Sequence, residues 1–96
     1  TPVWGYGLML EVFGKKDGKD IKKKLWTEHP PMSEWGGKAA YYKNIAIPLS
    51  IGAQMIARGD VKVRGVLPPE LAIDPEIFFD ELKIRGIKVF EDTAWL

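Results

Sequence analysis

The densest group of side chains able to do chemistry is Tyr41-Tyr42-Lys43, in the stretch AAYYKN at the start of a predicted helix. Two phenols and an ammonium group are able to line a binding pocket. The same tyrosines are equally able to anchor the helix by packing their rings into the core, and the residues alone favour packing. These three residues are therefore candidates for a site, not a motif that establishes one.

Other reactive side chains lack the partners that catalysis or metal binding needs. His29 is the only histidine and the chain has no cysteine, whereas a zinc site takes several His, Cys or carboxylate ligands. Ser33 and Ser50 lie outside any Gly-x-Ser-x-Gly turn, and no nucleophile–base pair is visible. We expect neither a catalytic residue nor a metal ligand in this sequence, and we interpret His29 as a loop residue.

The glycine-containing stretches GYG and WGG do not form a recognisable phosphate-binding loop. A dinucleotide site of the usual kind needs Gly-x-Gly-x-x-Gly between a strand and a helix, and that arrangement is absent from the sequence. We therefore expect no cofactor-binding residue in this chain.

Six lysines between Lys15 and Lys24 surround a predicted hairpin turn. Beside Trp26 they are able to bind RNA or single-stranded DNA by charge and stacking. Lysines on an exposed strand also prevent sheets from pairing edge to edge, and a net charge of only +1 favours that second interpretation. We expect no nucleic-acid partner, and a free-standing interaction module that uses this lysine-rich hairpin stays open as an alternative.

The composition is that of an ordinary globular domain, with 96 residues, 46% hydrophobic and 28% charged. No segment reaches the roughly 18 continuous apolar residues of a membrane span, so no membrane partner is expected. The lack of cysteine fits a reducing, cytoplasmic location. Because the sequence begins Thr-Pro-Val-Trp without methionine, we expect residues 1–96 to be a single domain cut from a longer polypeptide.

Two strands joined by a tight turn are predicted at the beginning of the chain. Residues 4–13 alternate in a strand pattern, and residues 21–28 form the returning strand. Asp17-Gly18 is a typical hairpin turn because glycine tolerates a positive φ. A connector rich in proline and glycine, HPPMSEWGG, follows at residues 29–37.

The pattern becomes helical over residues 39–58, with Gly59 as the predicted C-cap. Pro48 leaves two options open, a single kinked helix or a second helix that starts there. The predicted apolar stripe consists of Ile45, Leu49, Met55 and Ile56.

An extended segment with a proline turn is predicted at residues 60–73, and Asp74-Pro75 then begins a helix that Gly86 ends. The acidic side chains of this helix are expected to face solvent: Glu76, Asp80 and Glu81. A strand at residues 87–91 follows, and the apolar tail is expected to dock on the fold or on a partner. The predicted fold is α+β in β-β-α-α-β order, with helices packed on one face of a small antiparallel or mixed sheet.

A set of spaced residues in the stretch 39–91 resembles the C-terminal part of the saccharopine dehydrogenase-like family. The family pattern there is A-x-x-K-x-x-G-[IV]-P, a Gly-acidic turn, G-V-[LI]-x-P-E, a D-P helix start and G-[IV] before the last strand. The matching residues are Ala40, Lys43, Ile47, Pro48, Gly59, Asp60, Gly65, Val66, Leu67, Pro69, Glu70, Asp74, Pro75, Gly86 and Ile87. The opening hairpin also looks like the family's preceding segment, so the likeness covers nearly the whole chain.

The resemblance implies that this chain is the C-terminal fragment of a two-domain NAD(P)-dependent oxidoreductase related to lysine metabolism. In that family an upstream Rossmann domain of the same polypeptide holds NAD or NADP, and a second α+β domain closes over the substrate and supports a homodimer. Tyr41, Tyr42 and Lys43 then become candidate substrate-adjacent residues, and the chain is not catalytic alone. Residues Trp4, Tyr6 and Leu8 would pack against the helices or a partner subunit.

Overall fold

The computed structural model describes residues 5–96 as a three-stranded antiparallel sheet with helices packed beside it. The elements are β1 (Met9–Lys16), β2 (Lys19–Glu28), a 3-10 turn (Gly37–Ala39), α1 (Ala40–Arg58), α2 (Pro69–Ala72), α3 (Pro75–Ile84) and β3 (Lys88–Trp95). The sheet order is β1-β2-β3, so β2 is the central strand. The predicted α+β class and element order are confirmed.

The hairpin between β1 and β2 turns at Asp17-Gly18, as predicted. Asp17 has φ 52° and Gly18 has φ 75°, two consecutive positive values that are typical of a type I′ turn and match the twist of the flanking strands. The two-residue loop makes Lys16 the partner of Lys19 and continues the pairing to Met9 and Trp26. Strand β1 therefore lies later than the predicted 4–13, and Trp4 is outside the described residues.

Strand β3 is longer than the predicted 87–91 because the apolar tail pairs with β2. Trp95 is the register partner of Ile21, and the amide of Leu96 donates to the carbonyl of Asp20 at 3.0 Å. The prediction that the tail docks on the fold is confirmed. This pairing makes β2 a central strand, so Lys22, Lys23 and Lys24 do not lie on an unpaired edge.

Helix α1 is continuous through Pro48, so no second helix starts there. Its predicted apolar stripe was wrong in part. Ile51 and Met55 are fully buried, whereas Ile45, Leu49 and Ile56 are 59, 74 and 66% exposed. The helix carries apolar residues on two faces, and periodicity shows which residues share a face without showing which face is covered.

Helix α3 begins and ends as its sequence predicts. The side chain of Asp74 accepts a hydrogen bond from the amide of Glu76 at 2.9 Å, which is an N-cap interaction. Gly86 has φ 92°, and the amide of Ile87 donates to the carbonyl of Leu82 at 3.0 Å. These bonds satisfy main-chain groups that a helix end would otherwise leave unpaired.

Glu81 of α3 joins this helix to α1, and the prediction that it faces solvent was wrong. Its Oε1 lies 3.1 Å from Nη1 of Arg58, and its Oε2 lies 2.6 Å from Nη1 of Arg85. The Glu81 side chain is 20% exposed. The hydrogen bond from Arg85 is the main reason that the pKa of Glu81 lies below the ordinary carboxyl value, because it stabilises the charged form.

The core lies between α1, α3 and the start of β3, leaving much of the sheet uncovered. Its buried residues are Trp35, Ala40, Ile51, Met55, Leu82 and Ile87. Val89 packs against this core, whereas every residue of β1 is exposed. The radius of gyration is 16.1 Å, above the roughly 12.5 Å expected for a compact 96-residue domain.

Candidate functional site

A cluster of aromatic and polar side chains joins the end of β2, the connector and the start of α1. The ring of His29 lies edge-on to two other rings, with centroid distances of 5.0 Å to Tyr6 and 6.1 Å to Trp35. Trp35 is 8% exposed, and His29 is half-buried. We call this group, completed by Thr27, Lys43 and Asn44, the His29 cluster.

The connector can approach the end of α3 because a glycine stands there. At Gly86, a Cβ atom would lie 3.1 Å from Cγ of Pro30 and 3.9 Å from Nε1 of Trp35. Since Gly86 also has φ 92°, any other residue would be strained as well as crowded. The glycine therefore lets the proline-rich connector fold back so that His29 and Trp35 meet.

The hydrogen bonds of His29 leave part of its ring unsatisfied. Its Nε2 lies 2.8 Å from Oγ1 of Thr27, which also accepts the amide of Leu8 at 2.9 Å. The ring Nδ1 and Oδ1 of Asn44 are both buried without a hydrogen-bond partner among residues 5–96. If the Thr27 hydroxyl donates to Nε2, the neutral ring carries its proton on Nδ1, and that donor suits the unpaired oxygen of Asn44.

Burial sets the charge state of His29. It lowers the pKa below the ordinary value of 6.5, because the charged ring loses solvation. The side chain of Asn44 acts in the opposite direction, since it favours the protonated ring, but this effect is smaller. At neutral pH the ring is therefore neutral. In that form it can take part in hydrogen bonds or accept a proton.

The three sequence-predicted site residues lie on the first turn of α1, where they fan around the helix at about 100° per residue. Nζ of Lys43 lies 5.6 Å from the centroid of the Trp35 ring, which is a cation–π contact. The rings of Tyr41 and Tyr42 lie 6.2 Å apart, and Tyr42 is 69% exposed. The structure thus brings Lys43 into the His29 cluster and leaves Tyr42 open to a ligand or partner.

Sequence reasoning missed four members of this cluster as site residues, namely Tyr6, Thr27, Trp35 and Asn44. It also interpreted His29 as a loop residue without chemistry. A tryptophan inside a proline- and glycine-rich connector is the one available signal, because such a ring in a short loop usually packs on a neighbouring element. The contacts to Thr27 and Asn44 depend on how the connector folds back, which no local pattern encodes.

An apolar groove of about 990 Å³ lies on the other side of α1. Its wall is the exposed face of α1 together with the extended segment 60–68 and the first residues of α2. The lining includes Pro48, Leu49, Ile56, Val63, Leu67 and Phe78. A mainly apolar cleft of this volume is at the upper end of the size range of small-molecule sites.

Three lysines of the lysine-rich hairpin contact side chains of their own sheet. Nζ of Lys22 lies 6.0 Å from the Phe13 ring centroid, and Nζ of Lys24 lies 5.4 Å from that of Trp26. Lys23 forms an ion pair with Glu91, and Trp26 stacks on Phe90 at 5.5 Å. Trp26 is therefore contacted by both Lys24 and Phe90, whereas the Phe13 ring is 65% exposed.

Residues 5–96 contain no group of three or more His, Cys, Asp or Glu side chains placed to hold a metal ion. None of the helices in this part of the chain is long and apolar enough to cross a membrane. The His29 cluster can supply hydrogen bonds and a cation to a ligand, and the groove can supply apolar contact.

Comparison with known proteins identifies one family. The family described as saccharopine dehydrogenase C-terminal domain matches residues 5–87. No solved structure gives a significant match. Several of the residues that carry the sequence resemblance line the apolar groove: Pro48, Gly59, Gly65, Leu67 and Pro69.

Proposed function

This chain belongs to the saccharopine dehydrogenase C-terminal domain family, and from that premise we propose that it is the substrate-side domain of an NAD(P)-dependent oxidoreductase of lysine metabolism. An upstream domain of the same polypeptide binds NAD or NADP. The present chain closes over the substrate, contributes to a homodimer and performs no catalysis alone. The enzyme acts in the cytoplasm.

The observation that carries this proposal is the family match over residues 5–87. The apolar groove supports it, because Pro48, Gly65 and Pro69 belong both to the family pattern and to the groove lining. The exposed face of α1 along this groove, with Leu49 and Ile56, is the surface that the upstream domain would cover. Covering apolar side chains of this size would favour the closed arrangement of the two domains.

The described residues do not fit a dinucleotide. Strand β1 continues through a two-residue turn into β2 instead of passing through a glycine-rich loop into a helix. The glycines before α1, Gly36 and Gly37, follow a turn rather than a strand. We therefore propose that NAD(P) binds to the upstream domain.

We propose that Tyr41, Tyr42 and Lys43 lie next to the substrate. An amino-acid substrate carries carboxylates, and an ammonium group with neighbouring phenols supplies complementary charge and hydrogen bonds. Lys43 is held near the cluster by Trp35, and Tyr42 is exposed at the start of the same helix. Because these three residues lie in the first turn of α1, the same helix contributes to the groove and to the surface that faces the substrate.

The groove provides a test with a matched control. In the polypeptide extended upstream through the proposed dinucleotide-binding domain, Ile56→Asp places a charge in the groove, whereas Ala57→Asp places the same charge on an exposed position outside its lining. We expect Ile56→Asp to lower kcat/KM by about tenfold or more, because misplacing the substrate is costly. Ala57→Asp should leave it nearly unchanged. Saccharopine-dependent reduction of NAD+ or NADP+ is the measurement, and equal effects of the two variants would contradict the proposed role of the groove.

A further inference from the structure

Strand β1 presents a main-chain edge that is unpaired within residues 5–96. The amide of Thr27 donates to the carbonyl of Leu8, and Lys16 pairs with Lys19 across the turn. Since hydrogen-bonded pairs alternate in an antiparallel ladder, the even-numbered residues of β1 bond to β2. The odd-numbered residues Glu11, Phe13 and Lys15 therefore direct their amides and carbonyls away from the sheet.

The side chains of this edge strand are exposed, and apolar side chains lie on both of its faces. Leu10 and Val12 are 58 and 51% exposed on one face, and Met9 and Phe13 are 63 and 65% exposed on the other. Proteins usually protect an edge by charges, proline, bulges or a covering element, because an unprotected edge pairs with another strand. Four of the six hairpin lysines lie on central β2, so β1 itself carries only the charges of Glu11, Lys15 and Lys16.

The charges of β1 are complementary to those of a second, antiparallel copy of the same strand. Glu11 and Lys15 stand two residues before and two residues after Phe13. In an antiparallel pair centred on Phe13, each Glu11 is opposite the other copy's Lys15, and each Val12 is opposite a Gly14 that leaves room for it. We propose that two copies of this chain pair through β1 with Phe13 opposite Phe13, forming one continuous six-stranded sheet.

Neighbouring registers lose this complementarity. With a two-fold axis perpendicular to the sheet, each face of one copy continues into the same face of the other copy. The pairing must then be symmetric about one residue that lies opposite its own counterpart. Centring on Glu11 opposes two carboxylates, and like charges directly opposite are destabilising. Centring on Leu10 or on Val12 places Glu11 opposite Met9 or Phe13, respectively, without a charge partner.

Lys15 is free to make the new pair although it already has a contact. Its Nζ lies 2.9 Å from Oδ1 of Asp20 on the same hairpin, but both side chains are more than half exposed, at 72 and 60%. An ion pair exposed in this way contributes little to stability, so its loss or sharing costs little.

This inference deepens the homodimer of the proposed function, and it is tested independently of the cofactor and the groove. The chain has no cysteine, so single-cysteine variants report the register without background. In the proposed register, the two Cα atoms at position 13 lie about 5.5 Å apart, inside the range that a disulfide spans. The two Cα atoms at position 12 lie about 8 Å apart, beyond that range.

The register experiment compares Phe13→Cys with Glu11→Cys, Val12→Cys and Leu10→Cys under mild oxidation of the dilute 96-residue chain. We expect a disulfide-linked dimer for Phe13→Cys alone, read by mass spectrometry and non-reducing gel electrophoresis. Cross-linking that is strongest at another position, equal at all four or absent at all four would overturn the proposal.

A charge exchange tests the same interface without a covalent bond. Glu11→Lys turns two attractive pairs into two repulsive ones, so we expect the dimer Kd from sedimentation to rise about tenfold. The double variant Glu11→Lys/Lys15→Glu restores the pairs in reversed order and should return Kd to near the wild-type value. A monomeric wild-type chain, or a double variant no tighter than Glu11→Lys, would overturn the proposed pairing while leaving the assignment of the cofactor domain unaffected.

Discussion

The ring of His29 lies edge-on to the indole of Trp35, with 6.1 Å between the ring centroids and 87° between the ring planes. His29 follows β2, and Trp35 lies in the connector that leads to α1. Because Trp35 also carries Lys43 over its ring, this contact links the sheet to the first turn of the helix. Substitutions of His29 are therefore expected to shift Lys43, a candidate substrate-side residue.

The lowered pKa of His29 predicts a pH-dependent stability. The folded state holds the ring neutral, so its contribution is complete above the unfolded pKa of 6.5 and is lost as pH falls through the lowered folded pKa. His29→Phe keeps a ring and removes the titration. We expect urea unfolding to show a smaller loss of stability for this variant than for wild type between about pH 7 and pH 5. Equal losses in the two proteins would contradict this account of the cluster.

The two arginines around Glu81 predict a second, more acidic dependence. Their hydrogen bonds and charges lower the carboxyl pKa, so the contribution of Glu81 is complete above the ordinary value of 4.5 and declines as pH falls through the lowered value. Glu81→Gln should flatten the acid side of the stability profile, measured by urea unfolding. Asp80→Asn is the matched control, because Asp80 is exposed on the same helix without an ion pair among residues 5–96. If Asp80→Asn flattened the profile as much as Glu81→Gln, the proposed role of the Glu81 ion pairs would be contradicted.

The two apolar faces of α1 should respond differently to truncation. Met55 is fully buried and Leu49 is 74% exposed. We expect Met55→Ala to lower the free energy of unfolding by about 2–5 kcal/mol, because it removes buried methylenes and leaves a cavity. Leu49→Ala should change it by about 0.5 kcal/mol or less. Denaturant titration of the 96-residue chain measures both values, and a large loss for Leu49→Ala would show that its face is covered in the isolated chain.

Lys43 is expected to affect substrate binding more than folding. Lys43→Met keeps the length of the side chain and removes its charge, so packing on Trp35 is largely retained while the cation–π contact is lost. In the extended enzyme we expect KM for the amino-acid substrate to rise about tenfold with a smaller change in kcat. Lys83→Met is a control, since Lys83 lies exposed in the last turn of α3 and outside the groove lining. Equal KM values for wild type and Lys43→Met would contradict a substrate-adjacent position.

Local chemistry made several elements predictable from the sequence. Asp17-Gly18 needed positive φ values, Asp74 had a free main-chain amide to cap, and Gly59 ended α1 with φ 82°. In each case the residue type and its immediate neighbours determine the backbone. The family pattern was readable for a related reason, since its prolines, glycines and acidic residues occupy such turns and helix ends.

Contacts between distant segments were not predictable in the same way. Glu81 meets Arg58 from 23 positions away, and the pairing of Trp95 with Ile21 extends β3 beyond its alternating residues. The buried face of α1 was missed because both faces are apolar, so the choice depends on what packs against the helix. The His29 cluster likewise exists only because the connector folds back beside Gly86.

The most direct test of the proposed function is calorimetric titration of NADH and NADPH into two proteins. One is the 96-residue chain, and the other is the polypeptide extended upstream through the proposed dinucleotide-binding domain. We expect no binding heat for the short chain and saturable binding of one of the two dinucleotides by the longer one. Binding of either dinucleotide by the short chain alone would contradict the assignment of the cofactor to an upstream domain. Residues 5–96 would then hold a cofactor site without the strand–loop–helix unit.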